Sequence, residues 1–132
     1  MTGEIFQLLS EYSILKNSVQ SDKFDMDSFL QAFEYTYSNP ALLSSKLFGI
    51  RATDLLENIP TKLLKAKLSG YLIGSELAGS KSYWLGRDIV MIGNDNLCVL
   101  YEKALKKLGL NISLENTQDI TLNGLKQAYF NG

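Results

Sequence analysis

The residues best placed to do chemistry stand at a turn. In "DIVMIGNDNLCVLYEKALKKLGLNISLEN", residues 88–116, an apolar run ends in Gly93-Asn94-Asp95 and a long amphipathic segment follows. A glycine between a strand and a helix lets a ligand approach the backbone, and the helix start offers free N–H groups. That is the chemistry of a nucleotide shelf. The same pattern also serves as a plain strand-to-helix connection with Asn94 or Asp95 as N-cap, and spacing alone leaves both readings open.

Three further features compete for a role. Ala66, Gly70, Gly74 and Ala78 recur every four residues and so share one side of a helix. Each helical glycine costs about 1 kcal/mol relative to alanine, so a close neighbour must compensate. Either Ser69, Gly70 and Ile73 face a nucleotide, or the stripe packs on a sheet or on the helix of residues 95–108. Arg51, in "LFGIRATDLL", can offer a bidentate fork to a phosphate or a carboxylate, or pair with Asp54 or Glu57 on its own helix. Glu76 reads as a rim or ion-pair residue, because no second acid stands beside it. Asp88 and Asp95 sit at opposite ends of a strand, about 20 Å apart when extended, and form no carboxylate pair.

Composition removes several classes of function. The chain has 132 residues, 45% hydrophobic and 20% charged, which suits one globular domain with a core. With 13 Lys+Arg against 14 Asp+Glu, a net charge of −1 and a pI near 5.4, it carries no nucleic-acid footprint and no basic membrane patch. One cysteine, Cys98, and no histidine rule out an internal disulfide, a Cys/His zinc site and a histidine triad. Cys98 reads as a small hydrophobe beside a helix's inner face, and its solitary state fits the reducing cytoplasm. "LSGYLIGSELAG" (68–79) is too short to span a bilayer and contains Glu76, and the N-terminus lacks the pattern of a signal peptide.

The elements that must carry these residues follow from periodicity. Ile5, Leu8, Leu9 and Tyr12 predict a helix over 3–15 with Thr2 as N-cap. Phe29, Leu30, Phe33 and Tyr37 predict a second over 27–38, capped by Asp27 and stopped by Asn39-Pro40. Residues 41–59 read as a helix pair, or as one helix disturbed near Gly49, and 61–79 as a further helix opened by Pro60. A loop anchored by Trp84 covers 81–87. The continuous apolar run of 88–93 predicts a buried strand. A helix over 95–108 closed by Gly109, a polar edge strand over 110–115 and a helix over 117–130 complete the chain. Strand-helix-strand order implies a parallel pair joined by a crossover. Two strands make a marginal sheet, and an apolar central strand needs a second neighbour, so strands are expected upstream.

Three segments in order carry a resemblance: "MTGEIFQLLSEYSIL" (1–15), "LFGIRATDLLENIP" (47–60) followed by "LSGYLIGSELAG" (68–79), and "VMIGNDNLCVLYEKALKKLGL" (90–110). They resemble the C-terminal part of the 2-dehydro-3-deoxygalactonokinase family, over nearly the whole chain. The motifs beginning Met-Thr-Gly-Glu and Leu-Ser-Gly are fairly specific to it, whereas the strand-glycine-helix segment alone is weak. The resemblance implies a truncated actin-like ATPase (ribonuclease H-like) domain, α/β in class, mostly helical with a small parallel sheet. Residues 1–132 would be a partial C-terminal domain, matched from just after its third strand. The N-terminal domain and first strands would be absent. The family's Asp-Trp-Gly-Thr-Thr phosphate loop does not occur in these residues.

What the resemblance further implies is ATP and Mg²⁺ as cofactors, and phosphoryl transfer to the 6-hydroxyl of 2-dehydro-3-deoxy-D-galactonate. Gly93, Asn94 and Asp95 would form the adenosine-binding turn, with Ser69, Gly70 and Ile73 as further nucleotide candidates and Arg51 as the candidate for substrate or phosphate. No catalytic base and no metal ligand is identified among these residues. Association with the missing half, or with a second copy, is expected. The alternative is a non-enzymatic helical interaction or assembly module.

Overall fold

The computed structural model describes residues 1–93, 95–110 and 112–114. Along them run α1 (Thr2–Tyr12), α2 (Lys16–Val19), α3 (Met26–Ser38), a 3-10 turn (Pro40–Leu42), α4 (Leu43–Glu57), α5 (Thr61–Gly79), α6 (Lys81–Trp84), β1 (Ile89–Met91), α7 (Asp95–Lys107) and β2 (Ile112–Leu114). They fall into two compact units, Met1–Leu85 and a second that begins at Gly86. The class is α/β, mostly helical, with one two-stranded parallel sheet among the described residues.

In the first unit α5 is the central rod, contacted by α1, α2, α3 and α4. Its two sides differ in size. One side carries Ala66, Gly70 and Gly74, and α3 lies against it with Phe29, Ala32, Phe33 and Thr36 buried. The opposite side carries Leu64, Leu68 and Leu72, which join Leu15, Val19 and Ile50 in one hydrophobic cluster. The Thr36 hydroxyl donates to the Tyr71 carbonyl at 2.9 Å, a bond between helices that only close backbone approach permits. Phe24, Phe29, Phe33, Tyr37 and Trp84 form a run of neighbouring rings 5.6–6.5 Å apart, within the range of favourable aromatic pairs.

Helix ends depart from expectation in instructive ways. Thr2 is not the N-cap of α1; Met1 takes that position, and Thr2 is buried inside the first turn. Asp25, not Asp27, caps α3, its carboxylate accepting the Ser28 N–H at 2.9 Å. That bond holds the Asp25 carboxyl below the usual aspartate range. Asn39 and Pro40 do stop α3. α4 then runs unbroken through Gly49 and ends at Asn58, which takes the left-handed conformation with φ 55°. α5 occupies the expected span. The stretch after it is not all loop: residues 81–84 form α6, where the Leu85 N–H donates to the Lys81 carbonyl at 3.0 Å and the Trp84 indole N–H to the Leu77 carbonyl at 3.1 Å.

In the second unit β1 and β2 pair in parallel, Ile89 with Ile112 and Met91 with Leu114. β1 is shorter than the apolar run suggests, and the run is not buried: Val90 and Ile92 are each 55% exposed. The physical reason is that β1 has one strand neighbour among the described residues, so one edge and much of its surface stay open. α7 buries Ala104 and Leu105. It closes as expected at Gly109 (φ 79°), where the Gly109 N–H meets the Lys106 carbonyl and the Leu110 N–H the Leu105 carbonyl, a Schellman pair. The helix expected over 117–130 lies outside the described residues. Among those residues, no helix is long and apolar enough to cross a membrane.

Glycine substitutions should separate packing from propensity. A Cβ at Gly74 would stand 2.3 Å from Thr36 Oγ1 and 2.4 Å from the Phe33 carbonyl, whereas one at Gly49 would meet nothing within 4 Å among the described residues. Gly74→Leu is expected to destabilise by about 1–3 kcal/mol through overpacking. Gly49→Ala is expected to stabilise by about 0.5–1 kcal/mol. Denaturation midpoints moving in opposite directions check both. The Asp25 cap adds a pH signature. Its lowered carboxyl contributes stability above the ordinary aspartate value of about 3.9, lost as pH falls through the lowered one. Unfolding profiles in the acid range should therefore show a shallower decline for Asp25→Ala than for the parent.

Candidate functional site

The turn after β1 is built from two facts about Gly93. Its backbone lies outside the left-handed region, so the conformation does not demand glycine. Among the described residues a Cβ there would touch only Cys98 Sγ, at 3.6 Å, so packing against them does not demand glycine either. What the missing side chain provides is clearance over an exposed backbone, the condition for close approach by a ligand. α7 begins directly beyond, at Asp95, and its first N–H groups have no intrahelical partners. Asn94 lies outside the described residues, as does the side chain of Asp95. Cys98 is half-buried.

The other nucleotide candidates are in the first unit and are covered. Ser69 and Ile73 are 7% and 1% exposed. A Cβ at Gly70 would stand 2.3 Å from the Phe29 carbonyl and 2.8 Å from the Ala32 Cβ. Gly70 thus offers no open face; the space its side chain would fill is occupied by α3. Tight packing explains the stripe, but the neighbour is α3 rather than the sheet or α7.

Arg51 is engaged on its own helix. Its Nη1 lies 3.2 Å from Asp54 Oδ2, the first of the two acids within reach. Asp54 Oδ2 also accepts a 2.7 Å hydrogen bond from the hydroxyl of Ser18, which is fully buried on α2. The guanidinium approaches the same hydroxyl at 3.5 Å. Ser18, Asp54 and Arg51 therefore tie α2 to α4, and the Arg51 side chain remains 31% exposed. Ser18 escaped sequence reasoning because its partner is 36 positions away. Glu76 is exposed on α5.

A model of the 2-keto-3-deoxy-galactonokinase family matches residues 1–128. The chain belongs to that family. A protein of Rhizobium meliloti (strain 1021) assigned as 2-dehydro-3-deoxygalactonokinase is 36% identical over 97% of this chain. The 2-dehydro-3-deoxygalactonokinase of Escherichia coli (strain K12) is 29% identical over 86% of it. A crystal structure of a Sinorhizobium meliloti protein described by the same activity superposes with a TM-score of 0.87 at 35% identity, over 97% of this chain. The chain spans 43% and 39% of the length of the two relatives and 44% of the crystallised one.

Within this galactonokinase-family chain, one further hollow of about 600 Å³ opens between α1, α2 and α5, lined by Phe6, Ser10, Lys16, Val19, Asp22 and Lys65 among others. Lys65 spends its ammonium on the Ser21 carbonyl at the hollow's rim. None of the sequence-predicted site residues lines it. Its charges alternate in sign along the chain, a pattern no motif marks.

The α2–α4 tie should respond asymmetrically to mutation. Ser18→Ala leaves a partly buried carboxylate short of one charged hydrogen bond and is expected to cost about 1.5–3 kcal/mol. Arg51→Ala breaks a solvent-screened pair that leaves Asp54 still bonded to Ser18, and is expected to cost less than about 1 kcal/mol. Equal midpoints for the two variants in chemical denaturation would contradict this ranking.

Proposed function

We propose that this chain is part of the C-terminal, adenosine-side domain of an ATP-dependent kinase of the actin-like ATPase superfamily, acting on 2-dehydro-3-deoxy-D-galactonate to give its 6-phosphate. The observation that carries the reading is the family match across residues 1–128, with relatives named for that activity. In this reading the Gly93 turn and the start of α7 receive the nucleoside side of ATP. The fit is steric and electrostatic. A glycine backbone with little packed over it among the described residues admits a flat ligand, and the N–H groups at a helix start, which make no intrahelical bond, favour acceptor atoms and negative charge. Gly70 packs on α3 within the first unit, where Ser69 and Ile73 are also buried, and none of the three is assigned a contact with the nucleotide.

ATP supplies the transferable phosphoryl group when bound. Such transfer rests on positioning and on neutralising charge at the phosphates. Among the described residues, no group of three or more His, Cys, Asp or Glu is placed to hold a metal ion. Mg²⁺, when bound, would supply charge neutralisation at the phosphates; no residue of this chain is assigned to it. The Asp-Trp-Gly-Thr-Thr phosphate loop does not occur in the 132 residues. Binding without turnover is therefore expected of these residues alone.

Calorimetry with ATP tests the reading. The chain should bind ATP weakly, Gly93→Trp should abolish the heat by filling the open turn, and no sugar-acid phosphorylation should accompany binding. No heat at millimolar ATP, or equal heat with the variant, would refute the assignment of the turn.

A further inference from the structure

α1 has more apolar surface than the first unit uses. At about 3.6 residues per turn, its residues sort into three faces. Thr2, Phe6 and Leu9 turn inward, Thr2 buried and the other two packed on the core cluster. Glu4, Gln7 and Glu11 form a polar face, with Gln7 and Glu11 in mutual hydrogen-bond contact. Between these, Met1, Ile5, Leu8 and Tyr12 recur at four-, three- and four-residue steps. They are 86%, 39%, 51% and 79% exposed. A solvent-facing helix side is normally polar, and a continuous apolar row rimmed by acids marks a contact surface.

What covers it is indicated by the comparison in length. The crystallised relative keeps the conformation of this chain at a TM-score of 0.87, yet this chain accounts for 44% of it. More than half of that fold therefore has no counterpart here. We infer that the Met1–Ile5–Leu8–Tyr12 row of α1 is the docking face for the part of the kinase fold that the relatives carry and these residues do not. The partner surface is apolar, and the phenol of Tyr12 stays at its wet margin. This rests on the functional reading above, and adds to it the surface on which the two parts join.

The test uses the full 132-residue chain, mixed or co-expressed with the segment of the Rhizobium meliloti relative that it does not match. A one-to-one complex is expected by light scattering, with slowed amide exchange along α1. Leu8→Asp should weaken the complex at least tenfold. Gln7→Asp, which adds the same charge on the polar face, should leave it unchanged. Both sites are exposed, and unaltered thermal unfolding of the free variants shows that folding is intact. Equal affinities for the two variants, no complex at all, or a row occupied instead by a second copy of the chain would each overturn the inference. The functional reading fails separately: a complex lost in Leu8→Asp but unable to phosphorylate the sugar acid with ATP would keep the docking face and remove the kinase assignment.

Discussion

The first unit depends on one close approach, that of α3 to α5. It exists because α5 has no side chain at Gly70 and Gly74, where the Phe29 and Phe33 carbonyls come within 2.3 and 2.4 Å of an added Cβ. Two glycines inside a helix cost about 2 kcal/mol in propensity. The return is a seam in which Phe29, Phe33 and Thr36 are sealed from water and the Thr36 hydroxyl reaches a carbonyl on the facing helix. Burial of one phenylalanine side chain stabilises by about 1.5–3 kcal/mol, so the two rings outweigh the glycine cost.

The rest of the unit follows from that seam. With α3 fixed on the small side of α5, the leucines of the opposite side are left to gather Leu15, Val19 and Ile50 from three other segments. Hydrophobic contact is not directional, and it does not by itself set the register of α2, a helix of four residues. The Ser18–Asp54–Arg51 group supplies that direction, since a buried hydroxyl must find an acceptor and the carboxylate must be close by. Arg51 is in this sense a positioning group within the fold. A phosphate would have to compete with Asp54 for it.

Legibility in the sequence tracked the range of the interaction involved. The span of α5 was readable because Pro60, the four-residue stripe and the return of polar residues after Gly79 are all local signals. The closure of α7 at Gly109 was readable for the same reason. The cap of α3 was misplaced by two residues because Asp25 and Asp27 are equally good candidates on paper, and only the backbone angle at Asp25 decides between them. α6 was missed because four residues carry no periodicity; the Trp84 bond to Leu77 holds it. Within the site, the clearance at Gly93 was legible as a glycine after an apolar run. The burial of Gly70 was not, since a small residue facing a helix and one facing a ligand look alike until the neighbour is known.

The apolar run of β1 is the most informative disagreement. Continuous Ile-Val-Met-Ile is the composition of a strand covered on both faces, yet Val90 and Ile92 stand more than half exposed beside a single partner strand. In the other unit, the row on α1 makes the same statement in a helix. Each unit, taken by itself, displays apolar residues in the periodicity of an element meant to be covered, and its local structure is otherwise satisfied: among the described residues, no buried side-chain polar atom lacks a partner. Poor packing would leave orphaned polar groups along with exposed apolar ones. Exposed apolar rows with a satisfied polar interior are what a larger fold leaves at the boundary of one of its parts.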